Sequence, residues 1–425
     1  MSEALPVETL GYFVRPNCRL CDGDLERVLE LNSTPPANEF VTKEFIESKT
    51  KQDKFPLFLS RCTKCGHTQL PVVVPPERLF TNYVYVSGTS KVFVDHFEAY
   101  TKDVWSILKI GHGDLIVDIG SNDGTLLKAF KRIGCKVLGV DPARAIAKKA
   151  SDEGIQTLPE FFTKKLAEKI ANDHGKAKVI VANNVFAHAD DLRDIAIGVS
   201  KLLSYGGIFV FEVSYLPSVL EDNLFDTIYH EHLSYHHLAP LIPFFDSVGL
   251  EIFDAKLIPT HGGSIRVYVG FAGRGASSRM LSILENEKTI GLSDLKKLNG
   301  PFIEFKNRID SLGFSLRMLL NGFHSSGRKI AGFGAPAKVT TFMHQFDIGS
   351  GLIDFIVDDS PLKQGLYTPG RFIPVLPTSA LYEQNVDYVL ILAWNFAESI
   401  MRAHSKFAVN SKKFIVPIPE VRVYP

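Results

Sequence analysis

Four of the five cysteines in this 425-residue chain stand as two Cys-x-x-Cys pairs, Cys18 and Cys21 in "NCRLCDG" and Cys62 and Cys65 in "RCTKCGH". No other feature restricts the first segment so strongly. Two intervening residues let both sulfurs of a pair face one ion from a tight turn, and Gly66 suits the backbone bend of such a knuckle. Four thiolates at tetrahedral geometry fill the shell of a zinc ion, so the expected site is closed and structural, and His67 is not needed as a ligand. A redox pair would be expected beside a βαβ pattern, which this segment lacks. The chain before residue 80 is rich in Pro, with no long helical period beyond a short charged piece around Phe45, so it should need the metal to fold. Cys135, just ahead of an apolar string, is expected to be a buried, inert thiol.

From Leu115 onward the pattern changes. Short apolar runs at Leu115 to Ile119, Val137 to Val140, Val179 to Ala182 and Ile208 to Val213 are each followed by a helix-like stretch, the rhythm of a parallel sheet with crossover helices. A second series at Ile330 to Phe333, Phe355 to Val357, Tyr388 to Leu392 and Phe414 to Val416 predicts another doubly wound unit. Between them, Glu251 to Leu257 and Ile265 to Phe271 flank a turn-prone stretch and predict an antiparallel pair, and the amphipathic stretch Ser282 to Leu320 predicts a helical bridge. The expected fold class is α/β, in three parts: a small N-terminal zinc-binding domain (1–80), a central Rossmann-like domain (81–255) and a C-terminal Rossmann-like domain (256–425). With 47 basic residues balancing 47 acidic ones, the chain carries no electrostatic sign of a nucleic-acid partner. Met1 to Leu10 lacks a basic region followed by an apolar run, and no stretch supplies the roughly eighteen apolar residues of a membrane span, so a cytoplasmic protein without a membrane partner is expected. A monomer is compatible with everything above.

"LIVDIGSNDGTLLKAF" reads as a strand ending at Asp118, a turn with Gly120 and Gly124, and then a helix. Such a turn lets a ligand approach the backbone at the helix start. Asp141 ends the next strand 23 residues after Asp118, where a carboxylate can accept bonds from ribose hydroxyls. Both dinucleotide and S-adenosylmethionine sites share that spacing. The turn breaks the GxGxxG pattern and places Asp123 where a pyrophosphate would be repelled, which favours a cationic sulfonium ligand. Asn183, Asn184 and His188 lie at the carboxyl edge of the same sheet, where such folds hold ligands. Glycines that merely make turns are the alternative.

Taken in order, the CxxC pairs, "DIGSNDGTLL", "NNVFAHADDL", "YHEHLSY", "HGGSIRVYV" and "FGAPAKVTT" resemble the motifs of the three-domain sugar C-methyltransferases of deoxysugar biosynthesis over nearly the whole chain. The resemblance implies methylation of carbon 3 of a nucleotide-linked 4-keto-6-deoxyhexose, with S-adenosylmethionine as cofactor and structural zinc. It implies Asp118, Gly120, Asn122, Asp141, Asn183, Asn184 and His188 as cofactor contacts. A proton beside a ketone needs a base to remove it and a donor to stabilise the enolate oxygen. His232 matches the family's catalytic position, with Glu231 and Tyr229 orienting it or touching the sugar. Without that context, a histidine-rich stretch such as "YHEHLSYHH" more often serves structure or faces solvent. A tyrosine near residue 83 lies by the reacting sugar in the family; Tyr83 fits that catalytic place and Tyr85 a substrate contact, or both pack at a domain boundary. Arg266 and His261, flanking the glycines of "THGGSIRVYV", and Lys338 are expected to hold the sugar nucleotide, while Asp358, Asp359 and Lys363 either line the same cleft or form a polar turn.

Two other classes compete. A nicotinamide-dependent oxidoreductase could be built on either α/β unit, and a zinc-knuckle nucleic-acid-binding protein on the cysteines. Methylation of oxygen rather than carbon is the nearest chemical rival, since the same base could activate a hydroxyl.

Overall fold

The computed structural model describes residues 11–81, 88, 91–408 and 412–425. Tyr83 and Tyr85 lie outside them. The strands expected from the apolar runs form within a residue or a few of their expected bounds, because each run is rich in β-branched residues and mostly buried.

In the central seven-stranded sheet the order is Glu251–Ile258, Ser264–Gly270, Leu203–Ser214, Ala177–Asn183, Leu115–Ile119, Lys136–Val140, Thr157–Leu158. The last five are parallel and the first two form an antiparallel hairpin that pairs with Leu203–Ser214. The expected boundary at 255/256 therefore falls inside this hairpin, whose two strands both extend the central sheet. Chain order reverses at Leu115–Ile119, the switch point that opens a crevice at the strands' carboxyl ends.

The C-terminal six-stranded sheet runs Val375–Leu376, Phe355–Val357, Ile330–Phe333, Tyr388–Ile391, Lys413–Val416, Arg422–Tyr424, with only the last strand antiparallel. Helices Ser278–Thr289 and Gly300–Ser325 bridge to it, the second burying Phe302, Phe305, Ile309, Leu316 and Leu320 along one face.

The N-terminal sheet holds a pairing that no local pattern announces. Leu25–Thr34, Phe55–Cys62 and Thr68–Gln69 are joined at the edge by Ser234–Tyr235, two residues beyond His232. The metal-binding segment and the histidine-rich stretch thus share one sheet.

Candidate active site

At the N-terminal end, the four sulfurs of Cys18, Cys21, Cys62 and Cys65 lie within 4.8 Å of one another, with Cys18 Sγ 3.6 Å from Cys65 Sγ and Cys21 Sγ 3.5 Å from Cys62 Sγ. Those separations suit sulfurs at about 2.3 Å from a shared zinc. The amides of Lys64 and Cys65 both point at Cys62 Sγ and that of Leu20 at Cys18 Sγ, as thiolate ligands require. At Gly23 a Cβ would meet Lys64 Cβ at 2.9 Å and Cys62 Sγ at 3.0 Å, so the two knuckles close tightly. The donor set fits a structural zinc ion, and no other cluster of metal-ligating side chains occurs among the described residues.

The crevice of the central sheet opens into a cavity of about 740 Å³ that is also walled by the strand ends of the C-terminal sheet. Gly120 (φ +72°) makes the turn after the first strand, and a Cβ there would lie 2.2 Å from Val185 Cγ2, so only glycine leaves the backbone open to a ligand. Asn122 is also left-handed, and its amide donates to Asp141 Oδ2 at 2.9 Å while that of Ala143 donates to Oδ1 at 2.9 Å. Burial raises the Asp141 carboxyl, with these two amides opposing the rise. Its free lone pairs can still accept from hydroxyls. Asn183 ends its strand at the cavity with both side-chain polar atoms buried and unpaired among the described residues, a cost that a ligand would offset. Asn184, left-handed, donates its amide to Glu212 O at 2.7 Å and also walls the cavity.

Asp118 departs from expectation. It is buried beneath the turn, outside the cavity wall, and burial with Asp141 nearby pushes its carboxyl well up. Asp123 turns away too: its carboxylate accepts from Thr125 N and Oγ1, at the first residue of the next helix, and from Gly88 N.

Of the histidine-rich stretch "YHEHLSYHH", the residues that reach the cavity are Tyr229, His232 and Leu233. His230, His236 and His237 are core residues whose imidazoles burial pushes down to about 4, 3 and 3. His232 Nδ1 lies 2.8 Å from Thr227 O and Nε2 2.9 Å from the Tyr229 hydroxyl. A carbonyl can only accept, so the neutral ring carries its proton on Nδ1 and presents the Nε2 lone pair. Glu231 is buried outside the wall, where its Oε1 accepts from Asn38 Nδ2 at 2.7 Å. His188 stacks on His232 (5.1 Å between centroids) and on Phe80 (5.6 Å). Burial and the neighbouring His232 hold it well below the usual imidazole range, hence neutral.

Gly334 (φ +87°) makes the equivalent turn in the C-terminal sheet, and Asp358 accepts from Ala335 N and Ser360 N much as Asp141 accepts in the central one. Lys338 Nζ sits 3.6 Å over the Trp394 ring and donates to Asn395 Oδ1 at 2.8 Å. Burial lowers its ammonium to about 8, against the pull of Asp226, which itself accepts from Trp394 Nε1 at 2.6 Å. Lys363 donates to Ala335 O and also lines the cavity.

Arg266 is a correction. Its guanidinium is buried and spent on Glu212 (3.0 and 2.9 Å) and Asp103 (2.7 Å), over the Tyr100 ring, and it does not reach the wall. The backbone of His261 is a short 3-10 turn and its side chain is outside the described set. Sequence reasoning missed Glu212 and His96, which wall the cavity as a pair at 2.9 Å. Burial pushes the Glu212 carboxyl up, yet His96 and Arg266 overcome it and hold the group at about 2. A lone charge in the apolar run "IFVFEVS" was the available sign. Nothing local marked Asp226, Trp394 or Asn395.

Charge is unevenly distributed across this cavity. Asp141, Glu160, Asp190, Asp191, Asp194 and Glu212 wall the side of the central sheet and Glu77 the N-terminal segment, whereas the only lysines or arginines among the described lining residues are Lys338 and Lys363, both on the C-terminal side, where Asp358 is the one carboxylate beside them.

Three family profiles cover the chain in succession: a putative zinc binding domain over residues 18–80, a methyltransferase domain over 99–254 and a C-methyltransferase C-terminal domain over 259–419. A curated relative, the C-methyltransferase NovU of Streptomyces niveus, is 36% identical over 415 residues, which span 96% of this chain and 97% of that one. Solved structures match only in part. A putative methyltransferase in complex with the Haloferax volcanii Trm112 activator covers 44% of this chain (18% identity, TM-score 0.36), and a Clostridium acetobutylicum S-adenosylmethionine-dependent methyltransferase covers 42% (16%, 0.34), similarities too low to bear on function.

Proposed function

This chain belongs to the three-domain S-adenosylmethionine-dependent C-methyltransferases, and on that premise we propose that it methylates carbon 3 of a nucleotide-linked 4-keto-6-deoxyhexose. The observation that carries the reading is the uneven charge in one cavity, most of its acids where a sulfonium cation would lie and its lysines only where a diphosphate would. The same reading puts the enzyme in the cytoplasm, with its sugar nucleotide.

Gly120, Asn122, Asp141, Asn183 and Asn184 would hold the cofactor, which supplies an electrophilic methyl group when bound. Asp118 acts from behind, as a buried support of the turn rather than a contact. On the opposite wall, Lys338 and Lys363 would neutralise the diphosphate, and Asp358 stands where a ribose hydroxyl is recognised.

His232 is the assigned base. With Nδ1–H anchored on Thr227 O, proton gain at Nε2 needs no tautomer change. The Tyr229 hydroxyl occupies that lone pair in the free enzyme, so the substrate C–H takes its place or the phenol relays the proton. Neutral His188, stacked on His232, can donate to the developing enolate oxygen, a role nearer the sugar than the cofactor contact first expected. Glu231 is a positioning residue through Asn38, and Tyr83 or Tyr85 remains the proposed tyrosine contact.

His232→Gln should lower kcat by about 100-fold or more, abolish exchange of the carbon 3 hydrogen with solvent, and leave cofactor binding intact. Unimpaired turnover, or a methyl ether as product, refutes the assignment.

A further inference from the structure

Arg19 stands between Cys18 and Cys21, inside the metal-binding knuckle, and is 3% exposed. A charge is buried at a cost of several kcal/mol unless it is paired and fully bonded, so its partners tell what it is there to hold. Nζ-like point contact would not suffice here: the planar guanidinium reaches three directions at once. Nη1 donates to Leu70 O at 2.9 Å and to Leu233 O at 3.2 Å, and Nε to Asp190 Oδ1 at 3.1 Å. Its own amide is held by Gln69 Oε1 at 2.9 Å.

Those partners neighbour the two stacked imidazoles. Leu233 follows His232, and its amide donates to Ala187 O, the residue before His188, at 2.9 Å. Asp190 lies two residues after His188 and itself lines the cavity. The Leu233 carbonyl also accepts from Leu70 N at 2.9 Å, so the segment that carries His232 is bonded on both sides, to the metal-binding segment and to the loop of the central domain. Arg19 contacts both Leu233 O and Asp190, and Arg15 Nη1 binds the other oxygen of that carboxylate at 3.1 Å.

We propose that Arg19 is a positioning residue for the His188–His232 pair, fixing the distance between the two rings by clamping Leu233 O and the Asp190 carboxylate from inside the knuckle. The proposal rests on the assigned role of His232 only for its effect on turnover. Lysine cannot replace it, since a single ammonium lacks the fork that spans a carbonyl and a carboxylate in fixed directions.

The test uses the full-length, zinc-loaded protein as Arg19→Lys and as Asp190→Asn, the second because a side chain 30% exposed tolerates change if the first variant misfolds. Imidazole nitrogen resonances of histidine-labelled protein, assigned with His188→Gln and His232→Gln, report ring geometry directly. In both variants the signals of His188 and His232 should move while that of His344 stays, and carbon 3 hydrogen exchange should fall by about 100-fold, the scale for a misplacement near 1 Å. Zinc content and KM should hold in both variants, and cofactor affinity in Arg19→Lys, a split that a general loss of stability would not produce. Folded, zinc-replete variants with both resonances unmoved overturn the proposal. If the parent enzyme never exchanges that hydrogen, the base assignment falls, and the resonances still decide on Arg19.

Discussion

Replacing Gly120 by alanine isolates the cofactor cradle better than any change of a polar contact. Two costs arise, and they separate. At φ +72° an L-residue sits in the left-handed region, which costs about 1–2 kcal/mol in free and bound protein alike and so lowers stability without touching affinity. The new Cβ would also lie 2.2 Å from Val185 Cγ2 and 3.1 Å from Cγ1, closer than atoms can stay, so Val185 and the turn must part by a large fraction of an ångström. Val185 is itself in the cavity wall beside Asn183 and Asn184. A displacement on the order of 1 Å in such a site costs about 100-fold, equivalent to about 2.7 kcal/mol. Calorimetric titration with S-adenosylmethionine should therefore show about 100-fold weaker binding for Gly120→Ala. Adding Val185→Ala removes the clash but not the backbone strain, so the double variant should recover affinity to within about tenfold while its melting temperature stays depressed. Wild-type affinity in the single variant, or no recovery in the double, would refute the reasoning, because the turn would then not be the surface on which the cofactor rests.

Two further outcomes are expected. Cys62→Ser should abolish bound zinc, measured by a chelating dye, and unfold the N-terminal sheet together with its Ser234–Tyr235 edge, since structural zinc supplies on the order of 10 kcal/mol to small thiolate domains; retention of metal and of the melting profile would contradict a four-thiolate site. Lys338, lowered to about 8 by burial, is charged below that pH and neutral above it, so substrate KM should rise as pH climbs from neutrality through 8. In Lys338→Arg that rise should disappear, because guanidinium stays charged throughout, and an unchanged pH profile would remove the lysine from substrate binding.

Much of the site was legible wherever its chemistry is local. Gly120, Asn122 and Asp141 belong to one strand-turn-helix unit whose spacing follows from sheet geometry, and the knuckles need only two residues between sulfurs. Legibility stopped where a side chain's role depends on distant partners. Arg266 looked available beside its glycines, yet Glu212, 54 residues earlier, claims it. The histidines of "YHEHLSYHH" looked alike, and only packing turned His232 toward the cavity and buried His230, His236 and His237.

From the amino-acid order alone came the metal knuckles, both parallel sheets, the cofactor turn and the family, because period, turn chemistry and motif spacing are nearest-neighbour properties written along the chain. Tertiary structure decided what faces what: Ser234–Tyr235 completing the metal-binding sheet, Asp226 reaching Trp394 across 168 residues, and two sheets opening into one cavity with lysines on one wall and most of its acids on the other. Such contacts are selected by burial and by pairing charges away from water, and those energies exist only once the chain has closed on itself.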